Sequence, residues 1–222
     1  MHYGIFLIAL AITIVAQIFV TSTYNKFLKK NNSSGITGLE AARRILDKNG
    51  LHDVKVVMTA GTMGDHYNPQ TKTVNLSQPV YQGASITSLA VAAHECGHAI
   101  QDKDGYTFLK IRSSLVPLVN FSSYAGYFAI MIGIFASWFE LIFIGILLEC
   151  VILLFELVTL PVEFNASKRA LNELEQGLLL EKENNNARKV LRAAAFTYVA
   201  SAANSALQIL RLILMFGGRR DD

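Results

Sequence analysis

Charged residues are missing from long stretches of this chain, and those gaps set out its plan. Residues 3–25 carry no charge and residues 3–20 are almost wholly apolar. At ~1.5 Å per residue that is long enough for a helix to cross a hydrocarbon core. The stretch has neither the basic start nor the small-residue cleavage site of a secretory signal, so it is expected to remain as a membrane helix. A second uncharged run covers 113–139, and a third covers 141–162, broken only by Glu149 and Glu156. Between them the short segment FASWFEL holds Trp138, a residue type enriched at membrane interfaces, so the two runs read as a helical hairpin. A fourth run, 193–210, is uncharged but rich in Ala and Ser. Its pairs Ser201/Ser205 and Ala202/Ala206 form a small face for close helix packing, either as a span or as a buried core helix.

The polar segment after the first run has a different rhythm. ITGLEAARRILDKNGL predicts a helix, with Thr37 and Glu40 at capping-box spacing, Ile36 placed as a hydrophobic staple and Gly50 where the helix should stop. VKVVM (54–58) predicts a short strand. DHYNPQTKTVNLS (65–77) alternates around an Asn-Pro turn signal, as a β-hairpin or a pair of irregular edge strands would. Ser85 is then placed to cap a helix running to about Asp102. The segment shows no internal repeat and no low-complexity tract.

Composition agrees with a membrane protein. Of 222 residues 52% are hydrophobic and 17% charged, and the mean hydropathy is +0.35. The net charge of +3, with no block of Lys or Arg, gives no footing for nucleic acid. Two cysteines, Cys96 and Cys150, are too few and too apolar in setting for a disulfide framework, and Cys96 is expected to pack as a small apolar residue. Lys26, Lys29 and Lys30 follow the first run. Lys110, Arg112, Lys168 and Arg169 flank the hairpin, whose tip carries no Lys or Arg. The positive-inside rule then assigns 26–112 and 168–192 to the cytoplasm. Arg219 and Arg220 fit less well, since a crossing fourth helix would export them.

The chemistry is concentrated in AVAAHECGHAIQDKDG (90–105). On a helix His94 and His98, four residues apart, share a face and can reach one ion, while Glu95 is turned ~100° away. Glu95 is thus placed to take a proton from water beside the metal without being a ligand, which is the HExxH arrangement of zinc peptidases. The bland alternative, an ordinary helix that happens to carry these residues, does not account for the apolar approach SLAVAA or for Gly97, which permits close packing behind the metal face. Catalytic zinc takes three protein ligands, and Glu163 in LPVEFNASKRAL is the candidate third, closing the third apolar run and opening an amphipathic helix. Its bland alternative is an interfacial carboxylate.

Taken together, DHYNPQTKTVNLS, AVAAHECGHAIQ, LVPLVNFSS and LPVEFNASKRAL resemble the neutral zinc metallopeptidases of bacteria, the YugP-like membrane family. The resemblance covers nearly the whole chain. More distantly the plan is similar to gluzincins of the HtpX and CAAX-prenyl-protease type, which also place a membrane hairpin between HExxH and a glutamate ligand. The resemblance implies His94, His98 and Glu163 as zinc ligands and Glu95 as general base. The distant relatives continue from the ligand glutamate as E-x-x-A-D. Here Ala166 matches, but Ser167 stands where the aspartate that supports the motif helix would be. Candidates for stabilising the transition state are Arg169, Tyr198, His66 and Asn165, which sequence does not rank.

The expected molecule is a mostly α membrane protein with a small α+β gluzincin-like metallopeptidase core and three to four transmembrane helices. Its organisation is expected as an N-terminal transmembrane helix (1–25), a cytoplasmic metallopeptidase segment with the HExxH helix (26–112), a transmembrane hairpin (113–162), and a helical region carrying the third ligand (163–222). The expected activity is a zinc-dependent endopeptidase of the bacterial plasma membrane with one catalytic ion. It would act at the cytoplasmic face on polypeptides, membrane-tethered or misfolded ones included, with membrane lipid as its surroundings and no nucleic acid. Three rivals carry less. An intramembrane protease would bury HExxH in a span, whereas this helix ends at QDKD. A silent zinc-stabilised scaffold has no use for Glu95. A channel or transporter subunit would be expected to show repeats.

Overall fold

Ten elements in order along the chain make up the computed structural model, which describes residues 2–217. They are α1 (His2–Leu28), α2 (Gly38–Lys48), β1 (Lys55–Thr59), β2 (His66–Asn68), β3 (Thr73–Ser77), α3 (Gln78–Tyr81), α4 (Ile86–Lys103), α5 (Thr107–Phe135), α6 (Phe139–Glu175) and α7 (Glu181–Phe216). Four helices, α1, α5, α6 and α7, are long and apolar enough to cross a membrane. The protein is therefore a mostly helical membrane protein with a small α+β part. Arg219 and Arg220, which bear on the direction of the fourth run, lie outside the described residues.

The local signals in the polar segment act as their chemistry requires. Thr37 Oγ1 accepts from Glu40 N at 3.2 Å and Glu40 Oε2 accepts from Thr37 N at 2.8 Å, closing the capping box at the start of α2. Gly50 takes φ +69° just past the Asn49 C-cap, a conformation in which side chains are strained. Ser85 caps α4, its hydroxyl accepting from Ser88 N at 3.0 Å. β2 and β3 form the expected hairpin, pairing antiparallel with Tyr67 opposite Val74. β1 pairs parallel with β3, so the sheet order is β1-β3-β2 with β3 central. That parallel pairing and the short helix α3, opened by Pro79, are additions to the sequence expectation.

The described residues fall into two compact units. One holds the segments Ile18–Leu109 and Val162–Phe196. Its core gathers Ile45, Leu46, Val54, Val74, Leu76, Val80, Ile86 and Leu89, joined by Ala170 and Leu174 of α6 and by Val190 and Leu191 of α7. The apolar faces of α2 and α4 and of the sheet therefore bury against the polar-flanked ends of the long helices. The other unit holds the described residues of 2–17, 110–161 and 197–217. Its small core is Ile142, Ile146, Ile209 and Leu212. There Glu156 Oε1 accepts a hydrogen bond from Ser201 Oγ at 2.7 Å, so the small-residue face of the fourth run supplies the partner of an intramembrane carboxylate. Arg211 lies over the ring of Phe6.

α6 departs from expectation in one respect. Glu163 does not open a new helix: α6 runs unbroken through Pro161 from Phe139 to Glu175.

Candidate metal centre

The motif helix α4 is buried on nearly every side, and its packing explains its residue choice. Leu89, Ala90, Ala92, Ala93, Cys96 and Ala99 are fully buried. Burial pushes the Cys96 thiol up, out of the range of a reactive thiolate, and its Sγ faces Ala42 O at 3.6 Å; it packs, as expected, as a small apolar residue. Gly97 meets α6 directly. A Cβ built there would lie 2.6 Å from Ala166 O, far inside contact distance, so only glycine lets the two helices approach this closely.

That approach carries α6 across the metal face. His94, His98 and Glu163 each offer a ligand atom, and the three atoms lie within 4.8 Å of one another. Glu163 Oε2 is 3.2 Å from His94 Nε2 and 3.6 Å from His98 Nε2. In a tetrahedral zinc site with bonds of ~2.0–2.1 Å, ligand atoms stand ~3.4 Å apart, a spacing that the two distances from Glu163 match. The rings of His94 and His98 meet edge to face with centroids 4.8 Å apart. Glu163 is 2% exposed, and a bare carboxylate so deeply buried needs cationic or metal partners. Burial pushes His98 down, but the neighbouring carboxylates of Glu163 and Glu95 outweigh it and leave the ring above its ordinary value. Two imidazoles and one carboxylate make a donor set that suits zinc.

The remaining expected residues sort themselves by geometry. Glu95, next to His94 on α4, is buried at 7% exposure. Ser167 Oγ lies 3.2 Å from His94 Nδ1, so the serine that replaces the relatives' aspartate still supports a motif histidine. Arg169 is committed elsewhere: its Nε donates to Asn165 Oδ1 at 2.8 Å and its Nη1 to Asp104 Oδ2 at 2.6 Å. His66 is exposed, its Nδ1 2.9 Å from Gly64 O in its own turn, and Tyr198 lies on α7. Sequence reasoning missed Gln101, which is fully buried and contacts His98 Nδ1 at 3.0 Å. Its signal was spacing, since a residue three beyond His98 rises over the same side of the helix.

Comparison with known proteins agrees with this site. Residues 2–217 match the family described as "Putative neutral zinc metallopeptidase". The chain is 45% identical over 215 residues to the "Putative membrane protease YugP" of Bacillus subtilis (strain 168), covering 96% of both sequences. No solved structure was found to match it. With the match spanning almost every residue, and with the two histidines and the glutamate drawn together inside it, the chain belongs to the neutral zinc metallopeptidase family.

Proposed function

We propose that this protein is a membrane-anchored zinc endopeptidase of the bacterial plasma membrane, working at the cytoplasmic face on polypeptide substrates, membrane-tethered or misfolded chains among them. The observation that carries the reading is the convergence of His94 Nε2, His98 Nε2 and Glu163 Oε2 beside the buried Glu95. His94, His98 and Glu163 hold the ion. Zinc there supplies Lewis acidity to water and to the scissile carbonyl. Glu95 takes the proton from the attacking water and later delivers it to the leaving amine, a role that needs a carboxylate next to the ligands but not among them. Ser167 orients His94 through Nδ1. The placement of Lys and Arg beside the apolar runs supports the cytoplasmic orientation.

The test is hydrolysis of an unfolded protein by the full chain in detergent, with and without chelator. Glu95→Gln is expected to reduce turnover by at least ~10²-fold, the low end for general acid–base catalysis, while bound zinc stays near stoichiometric. Turnover at the native rate in that variant would refute the mechanism.

A further inference from the structure

Besides the three convergent side chains and Glu95, the same unit holds a chain of polar groups that ends on His98. Gln101 reaches three partners: His98 Nδ1 at 3.0 Å, Val162 O at 2.8 Å and Asn165 Oδ1 at 3.0 Å. A glutamine amide has two N–H donors at one end and an acceptor at the other, and only its partners tell the ends apart. Here they do so without ambiguity. Val162 O is a backbone carbonyl and only accepts. The Asn165 atom that faces Gln101 also receives Arg169 Nε at 2.8 Å, and a guanidinium only donates, so that atom is the amide oxygen. Both partners therefore require N–H groups, and both donors of Gln101 are spent on them.

The end of Gln101 that faces His98 is consequently Oε1, an acceptor. His98 Nδ1 must bring the proton, and in a neutral imidazole that leaves Nε2 bare, with its lone pair on the side of Glu163 and the ion. His94 has no such instruction. Its Nδ1 partner is the Ser167 hydroxyl, which donates or accepts equally well.

We infer that Gln101 is a positioning residue that sets the tautomer of His98, with Asn165 and Arg169 setting the direction of Gln101 in turn. The two metal-binding histidines are thus unequal: one is held in its metal-ready form before any ion arrives, the other is selected by the ion. This inference rests on the reading of His98 as a zinc ligand, but its primary readout does not. The bland alternative is that Gln101 merely ties α4 to α6 by donating to Val162 and Asn165.

The first experiment is nitrogen NMR of the metal-free full-length protein in detergent, labelled with 15N-histidine at a pH where the rings are neutral. His98 is assigned by the signal lost in His98→Asn. His98 should be wholly in the Nδ1–H form. A native His98 in the Nε2–H form overturns the inference with no variant needed. Two substitutions then separate the roles. Gln101→Leu removes every bond, whereas Gln101→Glu keeps an acceptor towards His98 in either protonation state but loses donation to one or both carbonyls. A tautomer-setting role predicts that Gln101→Leu loses the Nδ1–H form and weakens zinc binding ~10–100-fold in chelator competition, while Gln101→Glu retains both. Equal loss in the two variants, with metal-free melting unchanged or equally lowered, shows a tie between helices and overturns the inference. Failure of the native protein to bind zinc, or native affinity in His98→Ala, would instead count against the metal site itself and leave the tautomer result standing.

Discussion

Glu163 is the residue in which burial and chemistry conflict most sharply. At 2% exposure and with two imidazole nitrogens at 3.2 and 3.6 Å, its carboxylate has been taken out of water and given partners that suit an ion. Removing it or a histidine therefore does two things at once: it deletes a ligand and leaves a buried polar group unmatched. His94→Ala and Glu163→Ala are each expected to lower zinc affinity by more than ~100-fold, beyond the loss of an outer hydrogen-bond partner, and activity should fall in parallel with metal content. Metal analysis after gel filtration, alongside turnover, checks this. A variant that kept its zinc but lost turnover would mean that the residue acts on substrate rather than on the ion. The HExxH residues were legible in the sequence because i,i+4 spacing is a property of any helix. The link between Gln101 and Asn165 was not, because the two lie sixty-four residues apart, and the spacing of Gln101 from His98 does not tell which end of its amide faces the ring.

Among the elements, the decisive contact is α4 against α6. Ala166 O occupies the place where a side chain at 97 would begin, so Gly97→Ala must push one helix off the other. Overpacking of this kind costs ~1–3 kcal/mol, and because the same two helices carry all three ligands it should also weaken zinc binding. Thermal melting of the metal-free protein and chelator competition would both register it; unchanged values in both would show that α6 is free to retreat. The caps at Thr37 and Ser85 and the stop at Gly50 were readable beforehand because capping is settled within four residues. The parallel pairing of β1 with β3 was not, since it depends on which strand lies between the other two, and alternation along one strand says nothing of its neighbours. Pro161 carries a similar lesson. It signals a possible break, but α6 continues, because a helix can carry an interior proline where its surroundings satisfy the freed carbonyl.

For the whole molecule the testable matter is which face of the membrane each segment meets. Asp53 is exposed and suits a topology probe in the segment after α1. In a background lacking the exposed Cys150, Asp53→Cys and Asp104→Cys are expected to resist impermeant thiol reagents in intact cells, and Ser137→Cys to react. Labelling of position 53 or 104 from outside would reverse the proposed orientation. What the sequence determined by itself was whatever free energy is local or one-dimensional: where charge is absent long enough to cross a membrane, where helices start and stop, and which face of α4 carries imidazoles. Only the tertiary structure decided which chain-distant groups meet. It set Ala166 against Gly97, brought Glu163 to the two histidines, and fixed the direction of the Gln101 amide. The reason is physical: hydrogen-bond direction and close packing depend on three-dimensional neighbours, and no periodicity in the chain records them.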